Sequence, residues 1–250
     1  NSIATIVSTK VLTPFQAVVW AAFFNFVAFF IFSDHAVANT VAKTVKPEVV
    51  SGTGGIIIIL SGLIASIIWN LFTWWFGLPS SSSHTLIGGF AGAAIAAAGF
   101  NSIDTAMIMK TVIFIFLAPL IGMFISIFIT LVTIQKNFWL KIAIIAAVVS
   151  ACMLFIPFKK EFEKWALLGL SVVFVTAYFI NYFKGETAAR TGRMFKRLQL
   201  VSSAVFSIGH GGADAQKVMG IITAALIAGG NISEFSQMPD WVPLACYTAI

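Results

Sequence analysis

The chain has 250 residues, of which 59% are hydrophobic and 10% are charged, and its mean hydropathy is +0.98. Soluble domains are about half apolar and about a quarter charged, so the composition excludes a water-soluble globular domain. The net charge of +6 could suggest a nucleic-acid partner. However, the basic residues lie mostly at segment ends and in one loop, as in cytoplasmic flanks. We therefore predict a polytopic membrane protein in a lipid bilayer, with no nucleic-acid partner.

Seven apolar segments are candidates to cross the bilayer, which needs roughly 20 residues per helix. They are residues 13–32, 55–76, 84–99, 109–133, 139–157, 164–183 and 200–229. The segment 84–99 is short, so it spans either fully or only partway. A further apolar run begins at Trp241 and reaches the last residue. Because the chain lacks an initiator Met and stops within this run, we interpret it as a fragment.

Two linkers are longer than the others, residues 33–54 and 184–199. The first ends in the turn formers SGTGG, which predict that no helix begins before Ile56. The second, KGETAARTGRMFKRLQ, holds five basic residues against Glu186 alone. This charge bias predicts a cytoplasmic loop over residues 184–199.

Polar side chains recur at helical spacing in two of the apolar segments, where each is costly and therefore suggests function. The first stripe is Ser66, Asn70, Thr73 and Gly77, and the second is Ser203, Ser207, His210, Asp214 and Lys217. The glycines at 209, 211 and 212 favour an unwound stretch inside the second segment. Asp214 and Lys217, one turn apart, could instead form a purely structural ion pair.

The stretch GLPSSSSHTLIGG, residues 77–89, places four serines and a histidine between two apolar segments. Pro79 favours a helix start, and a serine can cap the free N–H groups of the first turn. Such a helix N-terminus, lined with hydroxyls, is a ready anion site. Gly88 and Gly89 predict close helix packing beside it. A capped helix in a solvent loop is the structural alternative.

An intramembrane serine hydrolase is the alternative from another functional class. It would use Ser83 with His84, or a serine of the run with His210. Adjacent residues on a helix point about 100° apart, so Ser83 and His84 cannot form the nucleophile–base hydrogen bond directly. The Gly-x-Ser-x-Gly elbow that exposes a nucleophile is also missing.

Three stretches resemble the PiT-type inorganic phosphate transporter family. WNLFTWWFGLPSSSSHTLIGG, residues 69–89, is similar to its Pro-Ser-Ser-x-Ser-His region, and GHGGADAQKVMGII, residues 209–222, to its second signature. The opening, NSIATIVSTKVLTPFQAVVWAAFFNFVAF, resembles the sequence directly after the first signature. The chain departs from the pattern at Ala213, where the signature usually has Asn.

The resemblance implies an all-α inverted-repeat secondary transporter with broken or re-entrant helices, and a fragment covering part of both repeats. Residues 1–183 would hold most of the first repeat, and residues 200–250 the start of the second. An Asp is expected three residues before Asn1, and a second serine/threonine-rich hairpin after Ile250. The implied location is a bacterial inner membrane, and a homodimer stays open.

The implied function is symport of inorganic phosphate with sodium or a proton, without an enzyme activity or a further cofactor. Phosphate would contact Ser80, Ser81, Ser82, Ser83, Asn1, Gly211, Gly212 and Lys217. The coupling cation, sodium or a proton at Asp214, would be supported by Gln216, Asn70 and Thr73. His84, His210 and Ser207 would support both. A sulfate transporter of the same superfamily is the runner-up, although only phosphate keeps a proton to donate to Asp214 at neutral pH.

Overall fold

The structure, a computed structural model, describes residues 3–32, 36–158 and 161–250. This part of the chain is all-helical, as predicted, with one isolated antiparallel bridge between Val45 and Ile103. The α-helices are α1 Ala4–Ser8, α2 Pro14–Ile31, α3 Ala36–Ala42, α4 Gly52–Trp75, α5 Ser82–Ala98, α6 Thr105–Ile134, α7 Phe138–Phe155, α8 Glu161–Phe183, α9 Ala188–Ala228 and α10 Trp241–Ala249.

Five of these helices, α2, α4, α6, α7 and α8, are long and apolar enough to cross a membrane. Helix α6 is the clearest case, because its 30 residues include no buried one. A helix whose whole apolar surface is exposed would be unfavourable in water, because that surface would stay hydrated. The surface of α6 therefore faces lipid. The protein is therefore a multi-pass integral membrane protein.

Two compact units make up the described chain. Unit 1 contains Pro14–Phe114 and Ala204–Ile250, and unit 2 contains Ala4–Thr13 and Ile115–Ser203. Helix boundaries within the units follow local capping. For example, the Asp104 carboxylate accepts from the N–H groups of Ala106 and Met107 at 3.0 and 3.1 Å, which starts α6 at Thr105. The division of the sequence into repeats stays a prediction.

Two predicted boundaries were wrong. Helix α4 begins at Gly52, ahead of Ile56, because the preceding turn folds onto Gly55: a Cβ there would lie 2.5 Å from the Val50 carbonyl carbon. The predicted loop 184–199 is helical from Ala188 onward. Its Ala, Arg, Met, Leu and Lys residues are good helix formers, and Thr187 Oγ1 accepts from the Arg190 N–H at 3.3 Å. The linker 33–54 also contains α3.

Helices α4 and α5 form a tight hairpin in unit 1. A Cβ on Gly89 would lie 2.5 Å from the Gly62 carbonyl oxygen, so the two backbones touch at these glycines. Beside this contact Ser66 Oγ donates to the Gly62 and Thr85 carbonyls at 2.7 and 3.0 Å. The predicted role of Gly89 in close packing is confirmed. For Gly88 it was wrong, because a Cβ there would meet nothing within 4 Å.

Replacing Gly89 with Ala should lower the thermal stability of the protein. The added methyl forces α5 away from α4, an overpacking cost of about 1–3 kcal/mol. Gly88→Ala is the matched control, since its methyl meets open space and Ala favours the helix. Thermal unfolding in detergent checks this pair, and equal melting temperatures for both variants would contradict the described hairpin.

Helix α9 runs without a break through the glycine cluster, which corrects the predicted unwinding. Tertiary packing explains the glycines instead: a Cβ on Gly211 would lie 2.7 Å from the Asn25 Cα, and one on Gly212 would lie 2.5 Å from the Phe32 ring. Small residues let α2 approach α9 closely here. Interior positions of a continuous helix also have their N–H groups bonded within the helix. Gly211 and Gly212 therefore offer no free N–H to an anion.

Gly211→Ala should destabilise unit 1, because the methyl would collide with the backbone of α2 rather than with a movable side chain. Gly209→Ala is the matched control, as nothing lies within 4 Å of its added Cβ. Melting temperatures in detergent should fall for the first variant and hold or rise for the second. The reverse order would mean that the glycines serve unwinding after all.

Candidate anion and cation site

The serine run forms the N-terminus of α5, as predicted. Ser81 is the N-cap, and its Oγ accepts from the His84 N–H at 3.4 Å. Ser80 Oγ lies 3.4 Å from Thr85 Oγ1. Pro79, expected to favour a helix start, lies three residues before Ser82, the first helical residue. Within the described chain the N–H groups of Ser82 and Ser83 have no hydrogen-bond acceptor, so two donors remain for an anion.

Lys217 on α9 joins this helix start to the second polar stripe within unit 1. Its ammonium group donates a short hydrogen bond to Ser83 Oγ and another, of 3.0 Å, to Asp214 Oδ1. The side chains of Lys217 and Asp214 are 19% and 26% exposed, so the pair is shielded but still accessible to a small ion. The two motifs, separated by 134 positions in sequence, therefore meet in one place.

His210 lies on the outer side of the same carboxylate. Its Nε2 is 3.4 Å from Asp214 Oδ2, one turn away along α9. Asp214 thus has a lysine at one oxygen and a histidine at the other. When His210 is neutral, the cluster of Lys217 and Asp214 carries no net charge.

Three other residues predicted for the site lie in different surroundings, and two of them, Ser207 and Gln216, are buried on α9. Ser207 is fully buried, and its Oγ has no hydrogen-bond partner in the described residues. Gln216 is 3% exposed. His84 is exposed beside the serines. Asn1, proposed as a phosphate ligand, lies outside the described residues.

The polar stripe predicted on α4 is shorter than expected, and the Thr73 hydroxyl in it bonds within its own helix. Thr73 is buried, and its hydroxyl donates to the Trp69 and Asn70 carbonyls of its own helix at 3.0 and 3.1 Å. Its hydrogen is therefore used locally, although an oxygen lone pair remains. Gly77 was wrongly included, because α4 ends at Trp75 and Gly77 has a φ of 64° in the turn that follows. The roles of Asn70 and Thr73 in cation coupling stay predictions.

Sequence reasoning missed Asn25 on α2. This residue is 7% exposed, and its Oδ1 has no partner in the described part of the chain. Its backbone packs directly on Gly211, one turn after Ser207 and close in sequence to Asp214. A lone amide inside the apolar run AAFFNFVAFF could have flagged it, since a polar residue inside a span is costly.

The hydrolase alternative finds no geometric support. No serine of the run is hydrogen-bonded to a histidine side chain anywhere in the described residues, and Ser83 accepts from Lys217 instead. Those residues also contain no group of three His, Cys, Asp or Glu side chains that could hold a metal. A sodium ion needs no such group, because hydroxyl, amide and carbonyl oxygens can supply its ligands.

Comparison with known proteins identifies a family for the whole chain. The whole chain, residues 1–250, matches the profile of the phosphate transporter family. Probable low-affinity inorganic phosphate transporters of Rhizobium meliloti (strain 1021) and Bacillus subtilis (strain 168) are each 36% identical to it over its full length. The chain spans 60% of the length of each of these two relatives.

A solved structure, named as the sodium-dependent phosphate transporter, has the same fold. It superimposes with a TM-score of 0.73 at 25% identity, covering 99% of this chain and 67% of that chain. The family and these relatives are transporters rather than enzymes. The resemblance found in the serine run and in the second signature thus extends over the entire sequence, and the chain belongs to the phosphate transporter family.

Proposed function

We propose that the full-length protein moves inorganic phosphate across the membrane together with a cation. The observation that carries this proposal is the double contact of Lys217 with Ser83 and Asp214. This contact places the N-terminus of α5, the Lys217 ammonium group and the Asp214 carboxylate side by side in unit 1. Membership of the phosphate transporter family and the printed names of the relatives support phosphate as the anion.

Phosphate binds at the start of α5 in this proposal. The free N–H groups of Ser82 and Ser83 and the hydroxyls of the run donate to its oxygens, and the positive end of the helix dipole favours its charge. Lys217 is already hydrogen-bonded to Ser83, so its ammonium group reaches the same anion with a small rotation. These neutral and cationic donors replace the water that phosphate loses on entry.

Asp214 explains why a cation must accompany phosphate. A carboxylate and an anion 4 Å apart repel by about 4 kcal/mol at an effective dielectric constant near 20. In the described state Lys217 neutralises the carboxylate. When phosphate arrives, Lys217 turns to it, and the coupling cation takes its place at Asp214. Either ion alone leaves an unbalanced charge, so the two move together.

Sodium is the proposed coupling ion. Asn25 on α2 and Ser207 on α9 each have a buried side-chain oxygen without a partner among the described residues, and α2 packs on α9 at Gly211, one turn after Ser207. Oxygen ligands of this kind suit a hard cation, and Gln216 is buried on the same helix. The solved relative is named as sodium-dependent, which supports the same choice.

Asp214→Asn should reduce phosphate uptake by the full-length protein at least tenfold, because the neutral amide no longer attracts the coupling cation. Lys217→Gln should mainly raise the KM for phosphate, since the cation at Asp214 remains. Lys196→Gln is the matched control, as this exposed lysine lies on the same helix outside the cluster. Radiolabelled phosphate uptake into cells measures all three.

Wild-type uptake by the Asp214→Asn variant would remove the carboxylate from the mechanism. Unlabelled sulfate in the same assay should compete poorly, because it lacks a proton to donate to Asp214 at neutral pH. Strong sulfate competition would assign the protein to sulfate instead.

An imposed sodium gradient should drive phosphate accumulation in proteoliposomes of the full-length protein. A proton gradient of equal size, applied without sodium, should not. Asn25→Ala should raise the sodium concentration needed for half-maximal uptake, because one oxygen ligand is lost. Accumulation driven by protons alone would reassign the coupling ion, and passive equilibration without accumulation would indicate a channel.

A further inference from the structure

Unit 2 contains a basic pocket at the junction of α8 and α9, and none of its lining residues belongs to the cluster of Lys217, Asp214 and His210. The pocket has a volume of about 320 Å³, and four of its lining residues are the cations Lys184, Arg190, Arg193 and Arg197. No carboxylate in the described part of the chain forms an ion pair with any of them. The pocket therefore concentrates positive charge that no ion pair within the described residues balances.

A buried amide also lines this pocket. Asn181 is 3% exposed, its Nδ2 donates to Thr191 Oγ1 at 3.1 Å, and its Oδ1 has no partner in the described residues. The two amide atoms are interchangeable, and the Thr191 hydroxyl can donate as well as accept. A flipped amide keeps the bond to Thr191 and frees two N–H donors. A buried polar atom without a partner is costly, so it is expected to bind something.

Arginine chemistry indicates what the pocket binds. Guanidinium groups match phosphate oxygens with paired hydrogen bonds, and three of the four cations are arginines. One of them is partly fixed, because the Arg190 guanidinium donates to the Gly185 carbonyl. Arg193 and Arg197, one turn apart on α9, are exposed, and neither guanidinium has such a bond among the described residues.

An apolar cavity adjoins the basic pocket in the same unit. It measures about 680 Å³, is lined mainly by aliphatic and aromatic side chains of α6 to α9, and shares Leu198 with the basic pocket. On α8 the apolar cavity is lined by residues 170–178 and the basic pocket by residues 177–184. On α9 the order is mirrored, with the basic pocket at residues 190–198 and the apolar cavity at 195–202.

This order follows the depth of a bilayer. Helix α9 has 41 residues and is therefore about 60 Å long, roughly twice the hydrocarbon thickness. Helix α8 is one of the five helices that could cross a membrane. Its end at Phe183 and the adjoining basic turns of α9 therefore lie at the polar interface, and the apolar cavity lies deeper. A phospholipid has the same sequence of groups, with a charged phosphate outside and acyl chains inside. Free phosphate would use only the basic half.

We propose that the basic pocket binds the phosphate of an anionic phospholipid, with an acyl chain in the adjoining apolar cavity. Basic pockets between membrane helices are suited to acidic head groups. The site is independent of the transport proposal, because none of its residues belongs to the Lys217–Asp214 cluster. In the sequence analysis the positive charge of residues 184–199 indicated only which side of the membrane this segment faces. The proposal adds a role in lipid binding.

Lipid retention by the full-length protein tests this proposal. The protein is reconstituted in nanodiscs of equal parts phosphatidylglycerol and phosphatidylcholine, extracted in mild detergent and examined by native mass spectrometry. The wild type should retain phosphatidylglycerol. Arg193→Gln and Arg197→Gln should each lower that retention about tenfold, the usual loss for one charge-assisted contact.

Lys196→Gln is the matched control, since it removes the same charge from the same helix but does not line the pocket. It should retain the lipid like the wild type. Equal retention by all variants, or equal retention of phosphatidylcholine, would overturn the proposal. Equilibrium binding of inorganic phosphate in nanodiscs of phosphatidylcholine alone is the second arm. A phosphate site lost in Arg193→Gln there, without lipid retention in the first arm, would overturn the lipid assignment in favour of free phosphate.

Discussion

The ammonium group of Lys217 between Ser83 Oγ and Asp214 Oδ1 is the interaction on which the site depends. In so apolar a protein an isolated carboxylate or ammonium would be expensive, so each ion requires the other. The pair also connects two elements that are distant in sequence, the start of α5 and the middle of α9. A structural ion pair alone would need neither the serine hydroxyl nor the free N–H groups at the helix start. In the proposed mechanism, phosphate and a cation replace the internal partners of Lys217 and Asp214 at this place.

Close backbone packing holds these elements in position. Gly62 and Gly89 let α4 and α5 touch, and Gly211 lets α2 rest on α9 near the cluster. Between lipid-exposed helices there is little hydrophobic driving force, so close approach and internal hydrogen bonds decide the packing. Ser66 illustrates this, since its hydroxyl joins α4 to the Thr85 carbonyl at the glycine contact. Ser66, a member of the polar stripe that suggested function on α4, therefore contributes to helix association.

Charge is distributed differently in the two units. In unit 1 the charges of the cluster are paired and few, as expected for a site whose partners must come and go. In unit 2 four cations lie at the junction of α8 and α9 beside an apolar cavity, and none of them forms an ion pair with a carboxylate of the described residues. The first arrangement suits exchange of small ions, and the second suits a lasting contact with an anionic amphiphile. The cations of this pocket therefore contribute to the net positive charge of the chain, whereas the paired Lys217 and Asp214 do not.

Composition and periodicity alone determined that the protein is a multi-pass helical membrane protein, because no other environment accommodates so much apolar surface. Serines at a helix start and an Asp–Lys pair on one face could also be predicted, since capping and helical spacing are local properties. Tertiary structure decided the rest. The glycines of α9 looked helix-breaking in isolation, but contacts with Asn25 and Phe32 stabilise an unbroken helix around them. The importance of Asn25 and the meeting of Ser83 with Lys217 depend on which helices pack together, and residues far apart in sequence carry no local signal of that choice.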